Sequence, residues 1–308
     1  MDIAVLGSGT IGQSWSALFL AAGHTVTAYD PDPLAGERIV NFVSESEEQL
    51  KTLGYHSAGS VEHFKFTTDP IQAVCDAEFI QENAPEDITV KRELYTVIHK
   101  SIHPRVILAS STSGITIEEL QAESPFASQM IIGHPFNPPH LIPLVEVLGS
   151  EITDTGLIER ALEFYRSLGK VPVLLNKSVP GHIANRLQAV LWQEVLHLAK
   201  EGVASLSDID QAIANGPGLR WAIYGPNQLF SLAAGDRGLN GFIDHLGPSF
   251  QQWWSSAGQV EFDQQMRDLI NQQFPPNTEV EMESMRHQRD TQICQLLKTR
   301  RGSDQGSV

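Results

Sequence analysis

DIAVLGSGTIGQSWSALFLAAGHTVTAYD, residues 2–30, sets out a strand, a glycine turn, a helix and a second strand in unbroken register. The apolar run Ile3 to Leu6 predicts a short buried strand, Ser14 to Ala22 a helix, and Val26 to Tyr29 a second strand ending on Asp30. Gly7, Gly9 and Gly12 form a G-x-G-x-x-G turn between strand and helix. The first glycine turns the chain sharply, the second lets backbone approach a pyrophosphate, and the third packs helix on strand. The phosphates then meet the helix N-terminus. The motif alone is weak, but here strand, helix, second strand and an acid 18 residues after Gly12 are all in register. Gly7, Gly9, Thr10, Ile11, Gly12 and Asp30 are therefore the expected dinucleotide-binding residues. Asp30 accepts hydrogen bonds from a ribose and repels a 2′-phosphate, and Pro31 and Asp32 supply no cation, so NAD is favoured over NADP. The competing reading is a doubly wound domain with a glycine-rich turn and no ligand.

Beyond Asp30 a polar, helical excursion spans 34–66 and holds Glu45, Glu47 and Glu48. Strands are expected at 77–81, 106–109, 130–132, 144–148 and 171–175, and helices at 89–100, 115–121 and 155–168. This alternation predicts an α/β fold: a Rossmann-type doubly wound, mostly parallel sheet covered on both faces. Ligands of such sheets bind beyond the carboxyl ends of the strands, and those ends carry Asp30, Glu82 to Glu86, Ser110 to Ser113 and His134. From Val179 the character changes: Leu187, Leu191, Val195 and Leu198 recur at helical spacing, Gly202 stops that helix, and Ser205 or Ser207 caps the next. The expected division is 1–180 as the NAD-binding domain, 181–300 as an all-helical domain for substrate binding and dimerisation, and 301–308 as a flexible tail.

At 308 residues the chain is long enough for two cores. A net charge of −16 argues against nucleic acid and anionic membranes as partners. Cys75 and Cys294 stand far apart and outside any metal-ligand spacing, so neither a disulfide framework nor a metal site is expected. The apolar stretch 15–22 has no basic residue before it, which fails the pattern of a secretory leader, and no run is long enough to span a bilayer. A reducing, cytoplasmic setting fits.

The segment MIIGHPFNPPHLIPLVEVLG, 130–149, puts His134 after one apolar run and Glu146 inside a second. A buried carboxylate between Val145 and Val147 needs a partner, and His134 is the natural one. Such a pair makes a proton acceptor suited to neutral pH, because the carboxylate fixes the imidazole tautomer and favours its protonated form. The plain alternative is a satisfied structural pair within the sheet.

GSGTIG, SSTSG, GHPFNPPHLIPLVEV and VPGHIANRLQ together resemble the 3-hydroxyacyl-CoA dehydrogenase superfamily along nearly the whole chain. The likeness is strongest to the branch of L-gulonate 3-dehydrogenase and lambda-crystallin, with L-carnitine dehydrogenases as near neighbours. The resemblance implies that His134 is the catalytic base, that Glu146 is its charge partner, and that Ser113 and Asn185 hydrogen-bond the substrate oxygen. It also implies that Glu86, Lys91 and Asn137 lie on the cofactor side, and that a helical second domain forms a homodimer. Local alternatives stand beside these roles. Ser113 would cap a helix starting near Ile115, Asn185 would be an ordinary first-turn residue, and Lys91 would form a surface pair with Glu86.

NGPGLRWAIYGP, 215–226, departs from the CoA-active pattern. Arg220 suits the free carboxylate of a small hydroxy acid, gripped bidentately, or else a structural salt bridge. Glu45, Glu47 and Glu48 would repel the polyanionic CoA moiety. Trp192, Trp221 and Tyr224 could cage a trimethylammonium group or simply fill a core. The leading expectation is NAD-dependent oxidation of the 3-hydroxyl of a small, L-gulonate-like acid. L-Carnitine and a short-chain L-3-hydroxyacyl-CoA are the enzymatic alternatives, and a crystallin-like structural or NAD(H)-sensing protein is the non-enzymatic one.

Overall fold

The computed structural model describes residues 1–55 and 61–304. Eight strands form one sheet: β1 (Asp2–Leu6), β2 (Thr25–Tyr29), β3 (Phe64–Thr67), β4 (Phe79–Glu82), β5 (Ile107–Ser110), β6 (Met130–Pro135), β7 (Leu144–Leu148) and β8 (Val171–Leu174). Their order is β3-β2-β1-β4-β5-β6-β7-β8, parallel throughout except where β6 meets β7. The order reverses at β1, between β2 and β4, and such a switch point opens a crevice at the strand ends. Helices α1 (Thr10–Ala21), α2 (Ala35–Thr52), α3 (Pro70–Val74), α4 (Ile88–Ile98), α5 (Ile117–Gln121) and α6 (Thr155–Ser167) connect these strands.

Strand alternation builds a core on each face of the sheet. Ile3, Val5, Phe79, Ile107, Ala109, Val145 and Val147 pack with Trp15, Phe19 and Tyr165 from α1 and α6. Ala4, Leu6, Ile80, Leu108 and Leu148 point the other way, onto Val74, Leu94, Tyr95 and Leu120 from α3, α4 and α5. A sheet covered on both sides explains why its central strands read as unbroken apolar runs. The strand β3, inside the expected helical excursion, is a departure from the sequence expectation.

The helical part comprises α7 (Ala184–Lys200), α8 (Leu206–Asn215), α9 (Pro217–Trp221), α10 (Pro226–Ala233), α11 (Gly238–Ser256), α12 (Gln264–Gln273) and α13 (Glu279–Asp304). Ser205 caps α8 by accepting from the Asp208 N–H. The chain forms two compact units, one of Met1–Ile183 with the C-terminal segment from Arg286, the other of Ala184–Met285. The second has its own core of Val195, Leu196, Ala199, Leu206, Ile209 and Met266. On α7 the expected apolar face is buried only toward its end, since Leu187 and Leu191 are exposed while Val195 is not.

The C-terminal helix corrects the expected boundaries. Cys294 and Leu297 of α13 pack with Leu53 and Leu141, so this segment belongs to the first unit and not to a 181–300 helical domain. The helix continues to Asp304, within the stretch expected as a tail, and 305–308 lie outside the described residues. No helix among the described residues is long and apolar enough to cross a membrane.

Candidate active site

The glycine turn is built around backbone approach. Gly7 adopts φ +91°, where a side chain is strained, and a Cβ on Gly12 would lie 1.9 Å from the Gly7 carbonyl oxygen. Gly9 differs: a Cβ there would meet no protein atom within 4 Å. It precedes α1, which starts with neither a side-chain cap nor an acid in its first turn, leaving the first N–H groups for a ligand. Gly9 and Thr10 are exposed, so a diphosphate has both room and donors here.

Asp30 lies just past β2 and is tied to this turn. Its Oδ2 accepts from the Ser8 N–H at 2.8 Å and its Oδ1 from the Asp32 N–H at 3.0 Å. One cation does reach this corner: Arg38 pairs with Asp32 at 2.7 Å.

His134 and Glu146 face each other across the antiparallel seam of the sheet, where His134 of β6 is in register with Glu146 of β7. Glu146 Oε2 accepts from His134 Nδ1 at 2.9 Å, and its Oε1 accepts from the Ile183 N–H at 2.8 Å. That commits the Nδ1 proton of a neutral ring to the carboxylate and leaves the Nε2 lone pair free to accept. Ser113 Oγ donates to Nε2 at 3.1 Å, and Ser113 is exposed while His134 and Glu146 are buried, so the acceptor nitrogen faces the open side. Ser113 does not cap α5. Thr116 does, in a reciprocal box with Glu119.

Glu86 organises the same rim. Its Oε1 accepts from Thr112 Oγ1 at 2.6 Å, the Ser113 N–H at 2.9 Å and the Gly114 N–H at 2.7 Å. Burial works against its charge, but the bonds from Thr112, Gly114 and Ser113 and the Lys91 charge outweigh it and hold its carboxyl below the usual range.

Lys91, expected on the cofactor side or as a surface partner of Glu86, is buried beneath the loop. Its ammonium bonds Glu82 Oε1 at 2.7 Å and the Ala84 carbonyl at 3.1 Å. Glu82 also accepts from the Ala84 N–H at 2.6 Å, Tyr95 Oη at 2.7 Å and Ser110 Oγ at 2.6 Å. A buried ion pair with these extra bonds fixes the loop that carries Glu86. Asn137 is exposed on the loop after β6. Asn185 on the first turn of α7 and the exposed Arg220 of α9 belong to the second unit.

His182 has no place in the sequence expectations, yet its ring centroid lies 4.8 Å from that of His134. Its one sequence signal is position, directly after Pro180-Gly181 and before the first helix of the second unit.

The acidic patch on α2 is partly neutralised from within. Lys51 pairs with Glu47 at 2.7 Å and reaches Glu48 at 3.6 Å, which weakens the expected repulsion of a polyanion.

Two family models match in tandem, the 3-hydroxyacyl-CoA dehydrogenase NAD binding domain over residues 2–179 and the C-terminal domain of the same family over residues 181–268. An L-carnitine dehydrogenase of Streptomyces coelicolor is 43% identical over 268 residues, covering 87% of this chain and 84% of that one. The L-carnitine dehydrogenase of Pseudomonas putida is 36% identical over 301 residues, covering 97% and 94%. Among solved structures, a 5-formyl-3-hydroxy-2-methylpyridine 4-carboxylic acid 5-dehydrogenase, an NAD+-dependent dismutase, aligns with a TM-score of 0.82 at 30% identity over 98% of both chains. A match running through both domains, together with a glycine turn shaped for a diphosphate, shows that the chain belongs to the 3-hydroxyacyl-CoA dehydrogenase family and is an NAD-dependent dehydrogenase.

Proposed function

We propose that the protein oxidises the 3-hydroxyl of a small free acid, L-carnitine, to the 3-keto acid, with His134 as the base. The observation that carries the chemistry is the relay Ser113 Oγ, His134 Nε2, His134 Nδ1, Glu146 Oε2, with links of 3.1 and 2.9 Å. Bound NAD supplies the acceptor for the C3 hydride. His134 Nε2 takes the hydroxyl proton as the carbonyl forms, and Glu146 offsets the charge that appears on the ring. Ser113 holds the substrate oxygen against Nε2, a positioning role shared in this proposal with Asn185. Glu86, fixed by Thr112, Ser113 and Gly114, orders the rim on the cofactor side, where Asn137 also lies in this proposal.

Substrate choice rests on relatives and on chemistry in the second unit. Sequence departures put an L-gulonate-like acid first, but the curated relatives reported above carry L-carnitine in their names, at 36% and 43% identity. Arg220 would grip the carboxylate. Trp192 and Asp210 help to line a cleft in the second unit, an aromatic face and a carboxylate suited to a trimethylammonium group. We also assign a homodimer through the second unit, where Leu187, Val190 and Leu191 of α7 are exposed, and a cytoplasmic setting.

NADH production from L-carnitine, L-gulonate and L-3-hydroxybutyryl-CoA, measured in parallel, tests the proposal. L-Carnitine is expected to have the highest kcat/KM by about tenfold or more, which is about 1.4 kcal/mol of differential transition-state binding. Preference for the CoA ester would overturn the free-acid reading, and preference for L-gulonate would overturn the trimethylammonium assignment.

A further inference from the structure

We infer that His182 is a positioning residue for the base: a single turn, Pro180 to Ile183, packs an imidazole against His134, anchors the loop that carries Ser113, and gives a backbone N–H to Glu146. The inference rests on the reading of His134 as the base.

The turn is unusual in its backbone. Gly181 has φ +75° and His182 has φ +49°, consecutive residues in the left-handed region, where a histidine is disfavoured. Such a conformation persists where the surroundings over-determine it, and here they do so through separate contacts. The His182 side chain is only 3% exposed. Its Nε2 donates to the Thr112 carbonyl at 3.2 Å, and Thr112 is the neighbour of Ser113. Its ring lies 4.8 Å from the His134 ring at an interplanar angle of 44°. The next residue, Ile183, donates its N–H to Glu146 Oε1 at 2.8 Å, on the oxygen opposite the one that holds His134. The base, its acid and the loop of the oxygen-binding serine are therefore all touched by one short turn.

The chemistry of the ring fits a neutral support. With Nε2 committed as a donor to a carbonyl, Nδ1 carries the lone pair, and it is buried with no hydrogen-bond partner among the described residues. The titratable groups that act on it are His134, Glu146 and Glu86. Burial, first, holds its pKa below the ordinary value. The Thr112 bond opposes that shift, His134 adds to it, and Glu146 and Glu86 oppose it more weakly. A charge on one ring disfavours a charge on the other, so His182 stays neutral beside the base.

The test is 15N-histidine NMR titration of the full-length protein, with and without NADH, alongside steady-state kinetics on the preferred substrate. His182→Phe keeps a ring but removes the donor, while His182→Gln keeps an N–H that can reach the Thr112 carbonyl. In the wild type, His182 is expected to be neutral and protonated on Nε2 at neutral pH. In His182→Phe, kcat is expected to fall by about tenfold or more with KM nearly unchanged, as for a loss of alignment. His182→Gln is expected to recover most of kcat. Wild-type kcat in the Phe variant, or no recovery of kcat in His182→Gln, would overturn the inference. So would a wild-type His182 found charged or protonated on Nδ1 at neutral pH, a readout that needs no variant to fold. Near-normal turnover in His134→Gln would instead remove the base assignment and leave the neutral, Nε2-protonated state of His182 as a separate readout.

Discussion

The segment 133–141 buries two histidines in contrasting surroundings. His134 and His140 are equally hidden, at 5% and 4% exposure. The Nδ1 of His134 meets the carboxylate of Glu146, and its Nε2 lies against the Ser113 hydroxyl. The His140 N–H donates to Ser14 Oγ, and that hydroxyl then donates to Nδ1 at 2.8 Å. His140 Nε2 meets the amide oxygen of Gln49 at 2.9 Å. Neither neighbour brings a charge to the ring. Burial, then the charges of Lys170 and Arg289, push its pKa down to about 3. Burial by itself therefore does not set the surroundings of a ring; the groups met by its two nitrogens do.

The largest effect should come from giving His134 the surroundings of His140. Glu146→Gln replaces the carboxylate by an amide, and turnover is expected to fall by roughly a thousandfold, within the range that positioned acid–base groups supply. His134→Gln should fall at least as far. Both should bind NADH within about twofold of the wild type, because the glycine turn lies at other strand ends. Stopped-flow turnover and NADH fluorescence titration check this pair. Turnover within about tenfold of normal in Glu146→Gln would mean that the carboxylate only packs.

A second contrast lies inside the glycine turn, between space filled by protein and space kept for a ligand. Gly9→Ala adds a methyl that meets nothing within 4 Å, whereas Gly12→Ala drives one to 1.9 Å from the Gly7 oxygen. Gly9→Ala is expected to melt like the wild type while NADH binding weakens by about tenfold or more, roughly 1.4 kcal/mol. Gly12→Ala should lose stability as well. Unchanged NADH affinity in Gly9→Ala, measured by calorimetry, would move the diphosphate away from this turn.

Sequence made the sheet and the dyad legible for a common reason: both are encoded locally. Ile3 to Leu6 is apolar on both faces because both faces are covered, and His134 and Glu146 stand in adjacent apolar runs that pair in register. What stayed hidden depended on distant partners. Lys91 lies on a helix and looks like a surface residue until Glu82 on β4 is brought beneath it. Phe64 to Thr67 is a four-residue edge strand with an exposed Lys65, too short and too polar to stand out from the excursion around it. Cys294 and Leu297 lie in the short apolar stretch Ile293 to Leu297 of a mostly polar helix, and nothing in that stretch tells that Leu53 and Leu141 wait for them. His182 is one histidine after a Pro-Gly pair, and its meaning comes only from Thr112 and the ring of His134.

The smallest effect concerns stability, and it returns to His140. Its folded-state pKa of about 3 lies below the ordinary 6.5, so the unfolded chain binds the proton first as pH falls. Stability from this group is present above pH 6.5 and is lost progressively as pH drops toward 3, by the sign of proton linkage. Going from about pH 7 to about pH 5 should cost about 2 kcal/mol from this residue alone. Gln49→Glu puts a carboxylate on Nε2, as Glu146 does on Nδ1 of His134, and so lets His140 carry the proton while folded. Urea unfolding at both pH values is expected to show the acid loss reduced to less than about half in Gln49→Glu, with neutral-pH turnover little changed because His140 holds a loop and not a reacting atom. Equal losses in both proteins would mean that the hydrogen bonds to Ser14 and Gln49 do not set the charge of this ring, and that the contrast with His134 has another cause.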